Sequence, residues 1–345
     1  MDHTWNEIHE QPAVLERLLA TEWTNVLAIA TAIRARGVHW ALLAARGSSD
    51  HAAIYAQYLL GLRQRLPAAL ATPSLYTLYQ APPCLEGALV VGISQSGMSP
   101  DIVAVIEEAR RQGQLTVAIT NDPASRLGAA AEYVIPLHAG EERSVAATKT
   151  YTAELLAAAM LSAALSADPA LLTELQALPQ AVAAVLELNA AITCQAERYR
   201  YMTQTVTLGR GLTYTTALEA GLKLKEMTYI SANAYSTADF LHGPIAILQP
   251  GFPLVAVAPG GHTFPDMLST IVESRKRGAE PVVISDTQEA LDLAQTPLPL
   301  PAGIPEWLAP IAAIVPAQLF ARALAAAKGH NPDQPRGLQK ITETR

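Results

Sequence analysis

Short β-rich apolar runs alternate along the chain with longer stretches whose apolar residues recur at helical spacing. Ala13 to Ile33 is rich in helix formers and carries apolar residues three and four apart, which predicts a helix. His39 to Ala44 is a β-rich run that meets Arg46-Gly47-Ser48-Ser49. A second run, Ala88 to Ile93, meets Ser94-Gln95-Ser96-Gly97; a helix over Asp101 to Arg111 follows, Gly113 stops it, and Leu115 to Thr120 reads as a strand. Strand, loop, helix and strand at this spacing predict parallel βαβ units and an α/β fold.

The order returns downstream. Pro100-Asp101-Ile102-Val103 through Gly113 to Val117-Ala118-Ile119-Thr120 matches Pro265-Asp266-Met267-Leu268 through Gly278 to Val282-Val283-Ile284-Ser285, at a constant separation of 165 residues. Arg46-Gly47 recurs as Arg210-Gly211, one residue off that register. Any two parallel α/β domains share some of this pattern, but a common offset across several elements points to two copies of one unit. The boundaries drawn from this are an N-terminal helical segment (1–34), a first domain (35–170), a helical linker (171–196), a second domain (197–328) and a C-terminal tail (329–345).

Composition narrows the function. The 345 residues suffice for about two domains, and 50% apolar with 16% charged residues excludes a disordered or fibrous chain. The formal charge is −7 with no basic stripe, which excludes nucleic acid as a partner. An anionic small molecule stays open, because local dipoles can hold a phosphate whatever the net charge. Cys84 and Cys194 are too few for a disulfide framework or a thiolate metal site. No metal and no cofactor is expected. Met1 to Pro12 is acidic and lacks the apolar core of a signal peptide. The longest apolar stretch, around Ala153 to Leu165, carries Glu154 and Ser162 and reads as a buried helix too short to span a bilayer. A cytoplasmic location with no membrane partner is expected.

Ser94-Gln95-Ser96-Gly97-Met98-Ser99 sits between a predicted strand and a predicted helix, where backbone N–H groups and the helix dipole favour an anion. Ser94, Ser96 and Ser99 add neutral donors and Gly97 admits close approach, while Ser48 and Ser49 end the preceding strand. The same hydroxyls would also serve to cap the helix. The repeat tips the balance towards a phosphate cup, since the second copy reads Pro259-Gly260-Gly261-His262-Thr263-Phe264 and has lost most of them. Neither a Walker motif nor a Gly-x-Gly-x-x-Gly fingerprint is present, which argues against nucleotides.

Downstream, Leu208-Gly209-Arg210-Gly211 leads into Ala217-Leu218-Glu219 through Lys223-Leu224-Lys225-Glu226. Apolar positions 218, 222 and 229 mark one helical face; Glu219, Lys223 and Glu226 share another, which spacing alone reads as a solvated, salt-bridged surface. His242, in Asp239-Phe240-Leu241-His242-Gly243-Pro244, is either a turn residue or a proton carrier, its unperturbed pKa near ~6.5 suiting neutral pH. Pro332 and Pro335 forbid a helix in Asn331 to Arg345, leaving a disordered tail or a lid.

Together Glu7-Ile8-His9-Glu10-Gln11-Pro12, Ser94-Gln95-Ser96-Gly97, Leu208-Gly209-Arg210-Gly211, Ala217 to Glu226, His242-Gly243-Pro244 and Asp333-Gln334-Pro335-Arg336 give a resemblance over nearly the whole chain. The chain resembles the isomerase half of glucosamine-6-phosphate synthases and, still more, the stand-alone amino-sugar-phosphate deaminases of the sugar-isomerase (SIS) family. That resemblance implies two tandem SIS, flavodoxin-like domains, each a parallel sheet flanked by helices. It implies that Ser94, Gln95, Ser96 and Ser99 hold the sugar phosphate, with Ser99 standing where synthases usually have threonine. Ser49, with Ser48 beside it, matches the glycine loop that contacts the sugar phosphate. Val145 matches a sugar-contacting backbone position, although Ala147 replaces a common serine nearby. Glu226 matches the carboxylate that moves a proton between C1 and C2, with Lys223 its neighbour. His242 matches a ring-opening histidine supplied by the adjacent subunit, which implies a homodimer, and Lys340 a lysine that forms a Schiff base with the open ketose.

Asp2 follows Met1 where the synthases have a nucleophilic cysteine opening a glutaminase domain, so the expected direction is glucosamine 6-phosphate and water to fructose 6-phosphate and ammonia. Rival expectations are a galactosamine-6-phosphate deaminase, a fructosamine-phosphate deglycase, the isomerase component of a synthase-type aminotransferase, or a non-enzymatic sugar-phosphate sensor.

Overall fold

The computed structural model describes Asp2–Leu338 and Lys340; Met1, Gln339 and residues 341–345 lie outside the described residues, and with them the end of the expected lid. Two compact units form. The first-sheet unit holds Ala13–Glu142, Lys149–Gln176 and Lys340; the second-sheet unit holds the N-terminus to Pro12, Arg143–Thr148 and Ala177–Leu338. Neither is continuous along the chain, unlike the domains drawn from the sequence.

Helices α1 (His3–His9) and α2 (Gln11–Arg36) come first. The first sheet is then built by β1 (Trp40–Ala44), α3 (Ser48–Gln64), β2 (Ala68–Leu70), α4 (Ser74–Thr77), β3 (Ala88–Ile93), α5 (Pro100–Arg111), β4 (Leu115–Thr120), α6 (Arg126–Ala130), β5 (Tyr133–Pro136) and α7 (Lys149–Ser166). Its strands run parallel in the order β2-β1-β3-β4-β5. β3 and β4 are buried at every position, and their apolar residues do not alternate because both faces of a parallel sheet are covered. The edges are blunted: β2 has three residues, and β5 ends on Pro136.

Two helices, α8 (Pro169–Leu186) and α9 (Asn189–Ala196), occupy the stretch read as one linker. The second sheet follows as β6 (Gln204–Gly209), α10 (Tyr214–Thr228), β7 (Ser231–Ser236), α11 (Thr237–Leu241), β8 (Pro253–Val257), α12 (Phe264–Lys276), β9 (Glu280–Ser285), α13 (Gln288–Leu291), β10 (Thr296–Pro299) and α14 (Ala309–Ala327). Its order, β10-β9-β8-β6-β7, is that of the first sheet read from the other edge. This is the flavodoxin-like arrangement, in which ligands bind beyond the carboxyl ends of the strands. The 165-residue offset carries β4 onto β9 residue for residue and the start of β3 onto the start of β8. Two α/β units of one topology are therefore present.

By length and composition alone, α8 and α14, helices of 18 and 19 residues, would pass as membrane spans over an 18-residue window. The stretch from Ala153 is thus not the longest apolar one. In α14 that window is 89% buried, as in a core helix.

Candidate active site

In the first-sheet unit, residues Ser94–Ser99 turn the chain from β3 into α5. Gly97 makes the turn possible: its φ is +61°, and a Cβ there would lie 2.0 Å from Ser125 Oγ. The loop is pinned on both sides. Ser94 N–H donates to the Ile119 carbonyl (3.1 Å), Asn121 N–H to that of Gln95 (3.1 Å) and Leu127 N–H to that of Gly97 (3.0 Å). The N–H groups of Gln95, Ser96 and Ser99 donate to no acceptor among the described residues. Ser99 is the N-cap of α5, yet its side chain makes no capping hydrogen bond. Capping therefore does not account for that hydroxyl. Ser96 Oγ accepts only a long contact from Met98 N–H (3.3 Å), and Ser94 is buried at the strand end.

Ser49 is also held from within the unit. Its hydroxyl donates to Glu154 Oε1 at 2.8 Å inside the unit, so towards a ligand its oxygen offers lone pairs rather than a proton. Ser48 opens α3 and is half-buried. Lys340 Nζ donates to Glu142 Oε2 at 2.7 Å, with side chains 25% and 0% exposed respectively. Glu142 also accepts from Thr150 N–H (3.1 Å) and Thr150 Oγ1 (2.7 Å). Neither Glu142 nor Glu154 was singled out as a candidate from the sequence.

The second-sheet unit has the same turn between β8 and α12, but carboxylates take two of its donors. Gly260 N–H donates to Asp286 Oδ1 (2.7 Å) and His262 N–H to Glu306 Oε1 (2.9 Å). His262 Nδ1 lies 2.5 Å from Glu306 Oε2, and that hydrogen bond, with the carboxylate charge, raises the imidazole pKa. One feature is common to both copies: Arg46 pairs with Asp101 (2.8 Å) and Arg210 with Asp266 (3.7 Å). Each pair ties a strand end to the first turn of the helix after the loop.

The solvated face expected on α10 is wrong. Glu219 and Lys223 are 0% exposed and Glu226 22%, whereas the apolar Leu218 and Leu222 are only half-buried. α10 packs against β6, β7 and α14, so the polar stripe faces inward, a choice that spacing does not encode. Lys223 Nζ sits 3.2 Å from Glu219 Oε1 and 2.6 Å from Glu226 Oε2. Burial alone would lower the lysine pKa, but the two carboxylates outweigh it and raise it, keeping the ammonium charged. Glu226 Oε2 lacks a well-aligned hydrogen bond, its contact with Lys223 being an ion pair. Such a carboxylate can take up and return a proton beside a fixed positive charge.

His242 is the exposed C-cap residue of α11. Val145 is half-buried in the Arg143–Thr148 segment. Among the described residues, no group of three or more His, Cys, Asp or Glu could hold a metal ion.

The SIS-domain profile matches residues 38–164 and 202–328. The glutamine–fructose-6-phosphate aminotransferase [isomerizing] of Thermus thermophilus is 37% identical over 348 residues, covering 97% of this chain and 57% of that protein. The chain thus spans little more than half the length of the curated relatives it matches. A crystal structure from Silicibacter pomeroyi DSS-3, under the provisional name phosphosugar isomerase, superposes with a TM-score of 0.87 at 35% identity, covering 96% of this chain and all of that one. The C-terminal domain of glucosamine-fructose-6-phosphate aminotransferase from Francisella tularensis superposes with a TM-score of 0.88 at 28% identity, covering 96% and 98%.

Proposed function

Because the chain belongs to the SIS-domain family, we propose that it is an amino-sugar-phosphate isomerase, converting glucosamine 6-phosphate and water to fructose 6-phosphate and ammonia. The observation that carries this is the Ser94–Ser99 loop, whose N–H groups at Gln95, Ser96 and Ser99 are left for a ligand, while in the second copy Asp286 takes the N–H of Gly260, at the position of Gln95, and Glu306 that of His262, at the position of Gly97. A dianionic phosphoryl group suits donors of that kind at a helix N-terminus.

In this reading Ser94, Gln95, Ser96 and Ser99 anchor the phosphate, and the Val145 backbone and Ser49 meet the sugar, Ser49 as an acceptor. His242, supplied by the adjacent subunit of a homodimer, opens the ring. Glu226 removes the C2 proton of the open-chain amino aldose and returns it at C1, with the Lys223 charge holding the carboxylate ready. The resulting ketimine takes up water and releases ammonia. Lys340 is the amine that forms a Schiff base with an open ketose. The relatives and the fold support a sugar-phosphate substrate class; a cytoplasmic location belongs to the same proposal.

The test is to incubate the pure chain with glucosamine 6-phosphate in D2O and follow ammonia, fructose 6-phosphate and deuterium at C1. Stoichiometric ammonia and ketose are expected; their absence at any enzyme level overturns deamination. A second reading, the isomerase component of a synthase-type aminotransferase, draws on relatives that bear that name and match over 57% of their length. Hexose-6-phosphate isomerisation with no release of ammonia from glucosamine 6-phosphate would favour it.

A further inference from the structure

Glu7 opens the Glu7-Ile8-His9-Glu10-Gln11-Pro12 motif and takes no part in the chemistry above, yet its carboxylate is buried in the second-sheet unit. An ionised side chain pays heavily for burial unless donors surround it. Two adjacent residues direct donors at it. Arg143 N–H, Ser144 N–H (3.2 Å to Oε2) and the Ser144 hydroxyl donate to it. Ser144 Oγ also lies 3.1 Å from the Ala146 carbonyl, so this one side chain brackets Val145. One helical turn after Glu7, the fully buried Gln11 donates through Nε2 to Gln318 Oε1 (3.0 Å) on α14, and Gln318 Nε2 lies 3.4 Å from the Thr148 carbonyl. Glu7 directly, and Gln11 through Gln318, thus reach the two ends of Arg143–Thr148, a segment without helix or strand of its own to fix its backbone.

We propose that Glu7 is a positioning residue, clamping Arg143–Thr148 so that the Val145 backbone presents its polar groups to the sugar. This rests on the substrate class proposed above. A buried network of this kind is rigid when fully satisfied and fails when one member is removed. Glu7→Ala would leave several donors of the segment without their acceptor. Glu7→Gln keeps one acceptor oxygen but turns an amide NH2 towards N–H groups, so its effect should be intermediate. The phosphate loop belongs to the other unit.

The test measures Kd by calorimetry for fructose 6-phosphate and for inorganic phosphate, alongside kcat and KM, in the full chain and in Glu7→Ala, Glu7→Gln and Ser144→Ala. The expected outcome for Glu7→Ala is a rise of about tenfold or more in hexose-phosphate Kd and KM, inorganic phosphate staying within about twofold. Ser144→Ala should move the same way by a smaller factor, and it carries the test with Glu7→Gln should Glu7→Ala not fold. Unchanged hexose-phosphate binding in the variants overturns the clamp. Equal losses for both ligands also overturn it, since they mean general damage. Wild-type chain that fails to bind fructose 6-phosphate removes the substrate reading itself, and the clamp with it.

Discussion

After β3 and after β8 the chain makes equivalent turns into a helix, and the two turns differ in what faces their backbone donors. After β3 the N–H groups of Gln95, Ser96 and Ser99 are left unclaimed within the described chain, among three serines. After β8 the protein supplies its own anions, Asp286 to Gly260 and Glu306 to His262. The Arg–Asp pair beside each loop persists in both copies, at 2.8 and 3.7 Å. A duplicated fold therefore provides an internal control. What both copies keep serves the architecture, and what one copy has replaced points to a ligand. The second copy has another specialisation, the buried Glu219–Lys223–Glu226 group on α10. Its counterpart in the first copy is α3, whose sequence SSDHAAIYAQYLLGLRQ has no such acid–lysine–acid stripe.

The largest effect expected of any single change falls on that group. Glu226→Gln removes the proton acceptor while keeping the side-chain volume, so kcat should fall by about 10²–10⁴-fold with hexose-phosphate Kd little changed. Stopped turnover together with retained binding, measured by calorimetry, would assign chemistry to the second copy and anchoring to the first. Full activity in the variant would break that division. Lys223→Met tests the same group through stability. It leaves Glu219 buried beside an unmatched carboxylate, and loss of one partner of a buried pair costs about 3–5 kcal/mol. Urea unfolding should show a lower midpoint, and an unchanged midpoint would mean the lysine is not holding the pair.

The next effect tests the first copy. Gly97→Ala puts a Cβ into a residue with φ of +61° and 2.0 Å from Ser125 Oγ. Strain of about 1–3 kcal/mol at that position should distort the loop and raise the inorganic phosphate Kd roughly tenfold. Phosphate binding that survives intact would place the anion elsewhere in the molecule.

Parts of this were legible in the sequence for physical reasons. β3, β4, β8 and β9 are central strands covered on both faces, so their apolar runs stand out, and the 165-residue offset aligns them. Edge strands carry no such signal: β7 reads Ser-Ala-Asn-Ala-Tyr-Ser, and β10 contains Pro297 and Pro299. On α10 the periodicity was real but its direction was not, because a helix packed on several sides can bury its polar stripe. Several partners around the candidate residues are distant in sequence. Ser49 and Glu154 are 105 residues apart, Ser144 and Glu7 137, and Lys340 and Glu142 198. No local pattern announces such pairs. Recurrence of Arg46 and Asp101 as Arg210 and Asp266 could have revealed one more, since residues that recur together in a duplicated unit are candidates to touch.

The smallest expected effect concerns the self-occupied turn. His262 is 96% exposed, so its contact with Glu306 reports on the loop without contributing much to stability. Its folded pKa is raised by the Glu306 hydrogen bond and charge, so whatever the contact contributes is fully present below the unfolded value near ~6.5 and lost as pH rises through the higher folded value. Histidine NMR should therefore find His262 titrating above an ordinary histidine in wild-type chain and near ~6.5 in Glu306→Ala. The same variant frees the His262 N–H, and millimolar inorganic phosphate should then shift the His262 resonances, as it should not in wild-type chain. A response to phosphate before the carboxylate is removed would mean that the second turn was never closed to anions. Absence of a response afterwards would mean that Glu306 alone does not account for its silence, and that the three serines of the first copy contribute something backbone donors cannot.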